Sequence, residues 1–218
     1  MKYFNLHTHH ATGKQEVLEM VNQYPSEFDA AIPYYSIGIH PWKIVENSIN
    51  EELGIIENKL PLHNCLAIGE CGLDKRIEIP FELQLEVFEK QLVLAEQHKK
   101  PVVIHCVAAF QEVIELKKRL DISVPMIIHG FSKSHDLAQE LTRHGFYISF
   151  GKYLMRNPEL KTVFQNMSDD RFFLETDTIE DGIQTIYTLA AQYKNVELHA
   201  LRLQIAHNFR QVFNTELD

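Results

Sequence analysis

At 218 residues, 45% of them apolar and 23% charged, the chain has the balance of a globular protein, and one domain spanning residues 1–218 is expected. A net charge of −9 argues against a broad nucleic-acid footprint, which usually needs a basic face, although bound cations can reverse the field locally. Met1-Lys2-Tyr3-Phe4-Asn5 lacks the apolar run of an export signal, and no stretch approaches the roughly 20 apolar residues of a membrane span, so a cytoplasmic protein without membrane contact is expected.

Short apolar runs alternate with amphipathic stretches, the pattern of an α/β protein with a parallel sheet. In chain order the candidate strands are Phe4–His9, Val17–Val21, Tyr35–His40, Cys65–Cys71, Val102–Cys106, Met126–Phe131, Phe146–Phe150 and Phe172–Asp177. The clearest helix is Glu82–His98, where Leu85, Phe88, Leu92 and Ala95 recur at helical spacing and Lys99-Lys100-Pro101 closes the run. Ala109–Leu120, Ser134–His144 and Pro158–Met167 are further helices, and two or three more follow Asp177 with no ninth strand. Eight strands with intervening helices predict a (β/α)8 barrel of the TIM type, trimmed because such barrels usually need about 250 residues. Too little chain lies between Val21 and Tyr35 for a crossover helix, so one barrel helix is expected to be missing after the second strand.

The polar residues fall at informative places. His7 and His9 end the first run, Glu70 the fourth, His105 the fifth, and His129 and Asp177 lie at the sixth and last. In a parallel barrel those strand ends converge on the face where sites are built. His7 and His9, two apart on a strand, point the same way and can share a ligand. Four imidazoles and two carboxylates suit Zn, Mn, Fe, Ni or Co better than Ca. Singly, each residue has a plainer reading: a hydrogen-bonded strand-end side chain, or a helix N-cap for Asp177. Cys65, Cys71 and Cys106 lie in apolar runs and read as reduced packing residues, not as ligands.

The motifs also resemble a family. His7-Thr8-His9, Gly38-Ile39-His40-Pro41, Gly69-Glu70-Cys71-Gly72-Leu73-Asp74, Pro101-Val102-Val103-Ile104-His105, His129-Gly130-Phe131-Ser132, Glu175-Thr176-Asp177 and Asn208 with Phe213 run in the order found in TatD-type deoxyribonucleases of the metal-dependent hydrolase superfamily. The resemblance implies two divalent ions (Zn, Mn, Mg, Ni, Co or Fe), with His7, His9 and Asp177 on one, His105 and His129 on the other, Glu70 bridging, and His40 facing the substrate. It implies hydrolysis of DNA or a smaller phosphodiester by a metal-activated water, with Glu70 and Asp177 as catalytic groups and Asp177 placed to take the proton. The alternatives are a metal-dependent amidohydrolase or esterase acting on a small molecule, and a non-catalytic metal-binding protein. The sequence departs from the family at Asn5, where an aspartate is usual, at Val107, where an arginine is usual, at Lys75, often an aromatic, and at Thr178-Ile179, where a proline usually follows. Lys75, Arg76, Lys133, Lys152 and Arg156 follow strand ends and are candidate phosphate contacts.

Overall fold

The eight apolar runs form one sheet whose strand order follows the sequence: β1 (Tyr3–Thr8), β2 (Val17–Gln23), β3 (Tyr35–Ile37), β4 (Cys65–Asp74), β5 (Val102–Val107), β6 (Met126–Ile128), β7 (Phe146–Phe150) and β8 (Phe172–Leu174). The structure is a computed structural model and describes residues 2–179 and 182–217. β1 pairs with β2, β3 with β4, β4 with β5 and β7 with β8, all in parallel. The helices are α1 (Ile49–Lys59), α2 (Phe81–His98), α3 (Phe110–Arg119), α4 (His135–Arg143), α5 (Lys152–Arg156), α6 (Leu160–Gln165), α7 (Ile183–Lys194) and α8 (Leu198–Phe213). This is the (β/α)8 alternation expected from the sequence.

Between β2 and β3 the only helical turn among the described residues is a 3-10 turn, Pro25–Glu27, so the crossover helix is missing where the short spacing predicts. Residues 9–16 also join β1 to β2 without a helix, an economy the spacing does not announce. α1 has no counterpart among the expected helices. Only Ile49 and Ile56 of it are buried, too thin a stripe to stand out as an amphipathic pattern. The stretch from residue 158 yields a shorter helix than expected, and α5 precedes it.

The chain divides into two compact units, one made of the segments up to Val21 and from Ile128 onward, the other of Asn22–Ile127. In the first, Phe4 of β1 is fully buried and meets Phe173, Phe209 and Phe213 edge-on at centroid distances of 5.7, 4.6 and 5.5 Å. The Tyr187 hydroxyl of α7 accepts from the Phe4 N–H at 3.2 Å and donates to the Phe4 carbonyl at 3.0 Å. Asn208 of α8 donates to the carbonyls of Asp169 and Phe172, fixing the entry to β8. The closing Asn-to-Phe motif is therefore a structural clamp on the strand that leads to Asp177.

In the second unit, β4 passes close against its neighbour. Gly69 and Gly72 have φ of +135° and +143°, and a Cβ at either would collide with the Val103 or His105 carbonyl. The β4–β5 register shifts between Ile68 and Cys71, an irregularity that brackets Glu70. Two buried glutamines on one face of α2 hold the loops at the strand ends. Gln91 accepts from Ile39 N–H and donates to its carbonyl, and Gln84 does the same for Asp74.

Tyr187→Phe should cost about 1–3 kcal/mol in chemical denaturation, because two buried backbone groups lose their partner together. A second expectation concerns acid stability. Burial raises the Glu96 carboxyl, but hydrogen bonds from Lys99, Ser123 and Val124 outweigh it and hold the group at about 2. A lowered pKa stabilises the fold above the ordinary value of 4.5, and that stability is lost as pH falls toward 2. Glu96→Gln should lower Tm at neutral pH and flatten the dependence of Tm on pH between those values.

Candidate metal centre

β1 and β8 bring the first group of polar residues together. Thr8 and Asp177 form an isolated parallel bridge, with Asp177 N–H donating to the His7 carbonyl and His9 N–H to the Asp177 carbonyl. This pairing sets two imidazoles beside one carboxylate: His9 Nε2 lies 3.6 Å and His7 Nε2 4.0 Å from Asp177 Oδ1. Lys152, the first residue of α5, donates to the other oxygen, Oδ2, at 2.6 Å. Burial raises the Asp177 carboxyl, yet Lys152 and the imidazoles of His7 and His129 outweigh it and keep the group below the usual carboxylate range. The two oxygens thus have separate partners, Oδ1 facing the histidines and Oδ2 the ammonium.

His129 belongs to the same unit, its ring 4.4 Å from that of His7. Its Nδ1 lies 3.4 Å from Oε1 of the fully buried Glu175, which also accepts from the Gly130 N–H at 2.8 Å. A carboxylate on Nδ1 selects the tautomer whose Nε2 lone pair can ligate. Asn5 joins the other side of this frame: its amide donates to Thr176 Oγ1 at 2.8 Å and accepts from Thr176 N–H at 3.0 Å.

The second unit holds His40, Glu70 and His105. His105 Nε2 lies 3.3 Å from Asp74 Oδ2, and its Nδ1 lies 3.1 Å from Glu70 Oε1. Asp74 is buried, which raises its carboxyl, but hydrogen bonds from Trp42, the Arg76 N–H and His105 prevail and hold it low. Asp74 is thus an acceptor placed for an Nε2 proton, and in that tautomer the Nδ1 lone pair faces Glu70. A lone pair and a carboxylate oxygen at that spacing call for a cation or a proton between them. His40 differs. Its Nδ1 accepts from Trp42 N–H at 3.1 Å, so in the neutral ring the proton sits on Nε2, 3.2 Å from Glu70 Oε1. His40 is thus placed as a donor toward Glu70.

Three donor atoms lie within 4.8 Å of one another in His7, His9 and Asp177, and likewise in His40, Glu70 and His105. Ligands about 2.1 Å from a tetrahedral ion sit about 3.4 Å apart. The His9–Asp177 and His105–Glu70 spacings bracket that value, and His7–Asp177 needs only slight closure. The residues fit a divalent metal.

Of the sequence-selected residues, His7, His9, His129 and Asp177 gather in one unit and His40, Glu70 and His105 in the other. Two of the candidate phosphate contacts are engaged within the protein, Lys152 with Asp177 and Lys75 with Glu112. Sequence reasoning misses the roles of Asp74, Glu175, Gln84 and Gln91. Asp74 and Glu175 were visible as motif letters, and the glutamines as polar residues seven apart on an apolar helix face.

A (β/α)8 chain with histidine–carboxylate clusters at its strand ends has the frame of a metal-dependent site. The model of the family described as TatD related DNase matches residues 2–214, and the chain belongs to that family. It is 32% identical over 164 residues to the uncharacterized metal-dependent hydrolase YabD of Bacillus subtilis, a match covering 73% of this chain and 62% of that protein. It is 29% identical over 171 residues to the 3'-5' ssDNA/RNA exonuclease TatD of Edwardsiella piscicida, covering 76% and 64%. The match spans about six tenths of the length of these curated relatives. Among solved structures, YjjV, a TatD homolog from Escherichia coli, superposes with a TM-score of 0.78 at 22% identity, over 90% of this chain and 86% of that one. A TatD family hydrolase from Entamoeba histolytica gives 0.82 at 17%, over 99% of each. These likenesses show the fold, a TIM-type barrel. No helix among the described residues is long and apolar enough to cross a membrane.

Asp74→Asn should weaken Zn²⁺ or Mn²⁺ binding about ten- to a hundredfold in titration calorimetry, since an uncharged amide with one acceptor oxygen replaces the carboxylate that serves His105, Trp42 and the Arg76 N–H together. A near-wild-type far-ultraviolet spectrum should accompany that loss.

Proposed function

We propose that the chain is a divalent-metal-dependent phosphodiester hydrolase, a TatD-like deoxyribonuclease acting on single-stranded DNA ends. The observation that carries the reading is the arrangement of carboxylates on the histidines: Asp74 on His105 and Glu175 on His129 each hold one ring nitrogen so that the other can ligate. Membership of the TatD related DNase family, and relatives named as metal-dependent hydrolases and as an exonuclease, support the same reading.

On the family pattern, His7, His9 and Asp177 would hold one ion and His105 and His129 a second, with Glu70 as a ligand to both. When bound, such ions supply Lewis-acid charge and acidify a water molecule. The protein's own groups do the rest. Asp177, kept ionised beside Lys152, is the proposed acceptor of the attacking water's proton. His40 donates to Glu70 and holds its carboxylate in one orientation beside the substrate. Lys152 fixes Asp177 Oδ2 and commits Oδ1 to the histidine side. No disulfide joins Cys65, Cys71 or Cys106, in keeping with a reducing compartment, and we assign the protein to the cytoplasm.

The purified protein should cleave short single-stranded DNA in the presence of Mn²⁺, Zn²⁺, Mg²⁺, Ni²⁺, Co²⁺ or Fe²⁺, stop on chelation and recover on adding metal back. Metal analysis fixes the number and identity of the ions. Glu70→Gln should lower turnover by more than about a hundredfold, because an amide offers less charge to a ligand site. Activity confined to a parallel panel of amides and lactones would replace the nuclease reading with the amidohydrolase one.

A further inference from the structure

Trp42 is the only tryptophan in the chain, and its side chain is 62% exposed. A large exposed aromatic is usually mobile, but this one is anchored. Its indole Nε1 donates to Asp74 Oδ2 at 2.7 Å, and Asp74 is buried. Its backbone N–H is tied to His40 Nδ1. Its ring stands edge-on to His40 at a centroid distance of 5.2 Å and to His105 at 5.7 Å. In an edge-on pair the rim of one ring meets the other ring, and at its exposure the indole keeps surface open to solvent. The carboxylate that orients His105 therefore also fixes a flat apolar surface beside it.

Resting on the phosphodiesterase reading above, we propose that Trp42 is a base-stacking platform, the subsite for the nucleobase next to the scissile phosphate. Three observations favour a base over another occupant. The ring adjoins His40 and His105, within one nucleotide's reach of the group that would meet the phosphate. The chain carries a net charge of −9, so its grip on a polyanion needs a component that is not electrostatic. Every base has a π-face, so a fixed indole holds single strands without regard to sequence, whereas in a duplex that face is already stacked. The proposed preference for single-stranded ends follows from the same surface.

The lone tryptophan reports on its own occupancy. A short single strand with phosphorothioate linkages is titrated into the metal-loaded protein while indole emission is followed. A matched strand with abasic positions at the end serves as control. Quenching is expected with the base-bearing strand and not with the abasic one. By anisotropy of a labelled strand, Trp42→Ala should weaken binding about fivefold or more. Trp42→Phe, which keeps a ring face but loses the bond to Asp74, should retain most of the affinity. Equal quenching by both strands, no quenching by either, or equal losses in the two variants would overturn the platform. Cleavage supplies the separate readout. Equal turnover of the two strands without phosphorothioates removes the stack and leaves phosphodiester hydrolysis standing. Base-dependent quenching without turnover of any phosphodiester leaves the stack and removes the nuclease.

Discussion

A neutral imidazole offers one lone pair, and which nitrogen carries it depends on where the other nitrogen's proton goes. In this protein that decision is made by buried carboxylates. Asp74 takes the Nε2 side of His105, and Glu175 takes the Nδ1 side of His129. The two histidines therefore meet their carboxylates through opposite nitrogens, although both sit at strand ends. His40 is set differently again, since a backbone N–H occupies its Nδ1 and turns it into a donor toward Glu70. Similar residues at similar strand ends thus acquire three roles from their far-side partners.

Those carboxylates need support in turn, because a buried charge is stable only when it is well hydrogen-bonded. Asp74 receives the Trp42 indole and the Arg76 N–H in addition to His105. Its own backbone N–H and carbonyl are both held by Gln84, two helical turns before the Gln91 that holds Ile39 next to His40. α2 packs two polar anchors among Val87, Phe88 and Leu92 and so makes the position of the loops a consequence of core packing. Removing either glutamine would leave buried backbone groups unpaired at about 1–3 kcal/mol each, a cost that falls on the loops carrying the chemistry. Gly72 completes the support by letting β4 approach the His105 carbonyl more closely than any side chain permits.

Much of this was legible in the sequence. The eight strands appear as apolar runs, and the missing helix after β2 follows from a residue count, because both depend on pattern and length alone. α2 is plain because its stripe is continuous, whereas α1 buries only two of its residues and its stability comes from what it packs on. The His-x-His spacing of His7 and His9 reads directly from strand alternation. The service of Asp74, Glu175 and Gln91 does not, because burial of a polar side chain depends on a partner distant in sequence, such as the 46 residues between His129 and Glu175. A polar letter in an apolar run marks such a site without saying what it holds.

Asn5 shows how a departure from the family pattern can be absorbed. An aspartate there could only accept, and the Thr176 hydroxyl would have to turn its proton toward it. The amide donates to that hydroxyl and accepts from the Thr176 N–H, so both of its ends are satisfied within the buried strand pair. The exchange also removes one negative charge two residues before His7. The carboxylate that directly faces His7 and His9 is then Asp177, and one of its oxygens is held by Lys152. Oδ1 of Asp177 is the oxygen turned toward those histidines. The Thr8–Asp177 bridge holds the backbone that carries this oxygen by hydrogen bonds, so its place beside the histidines comes from strand pairing and not from charge alone.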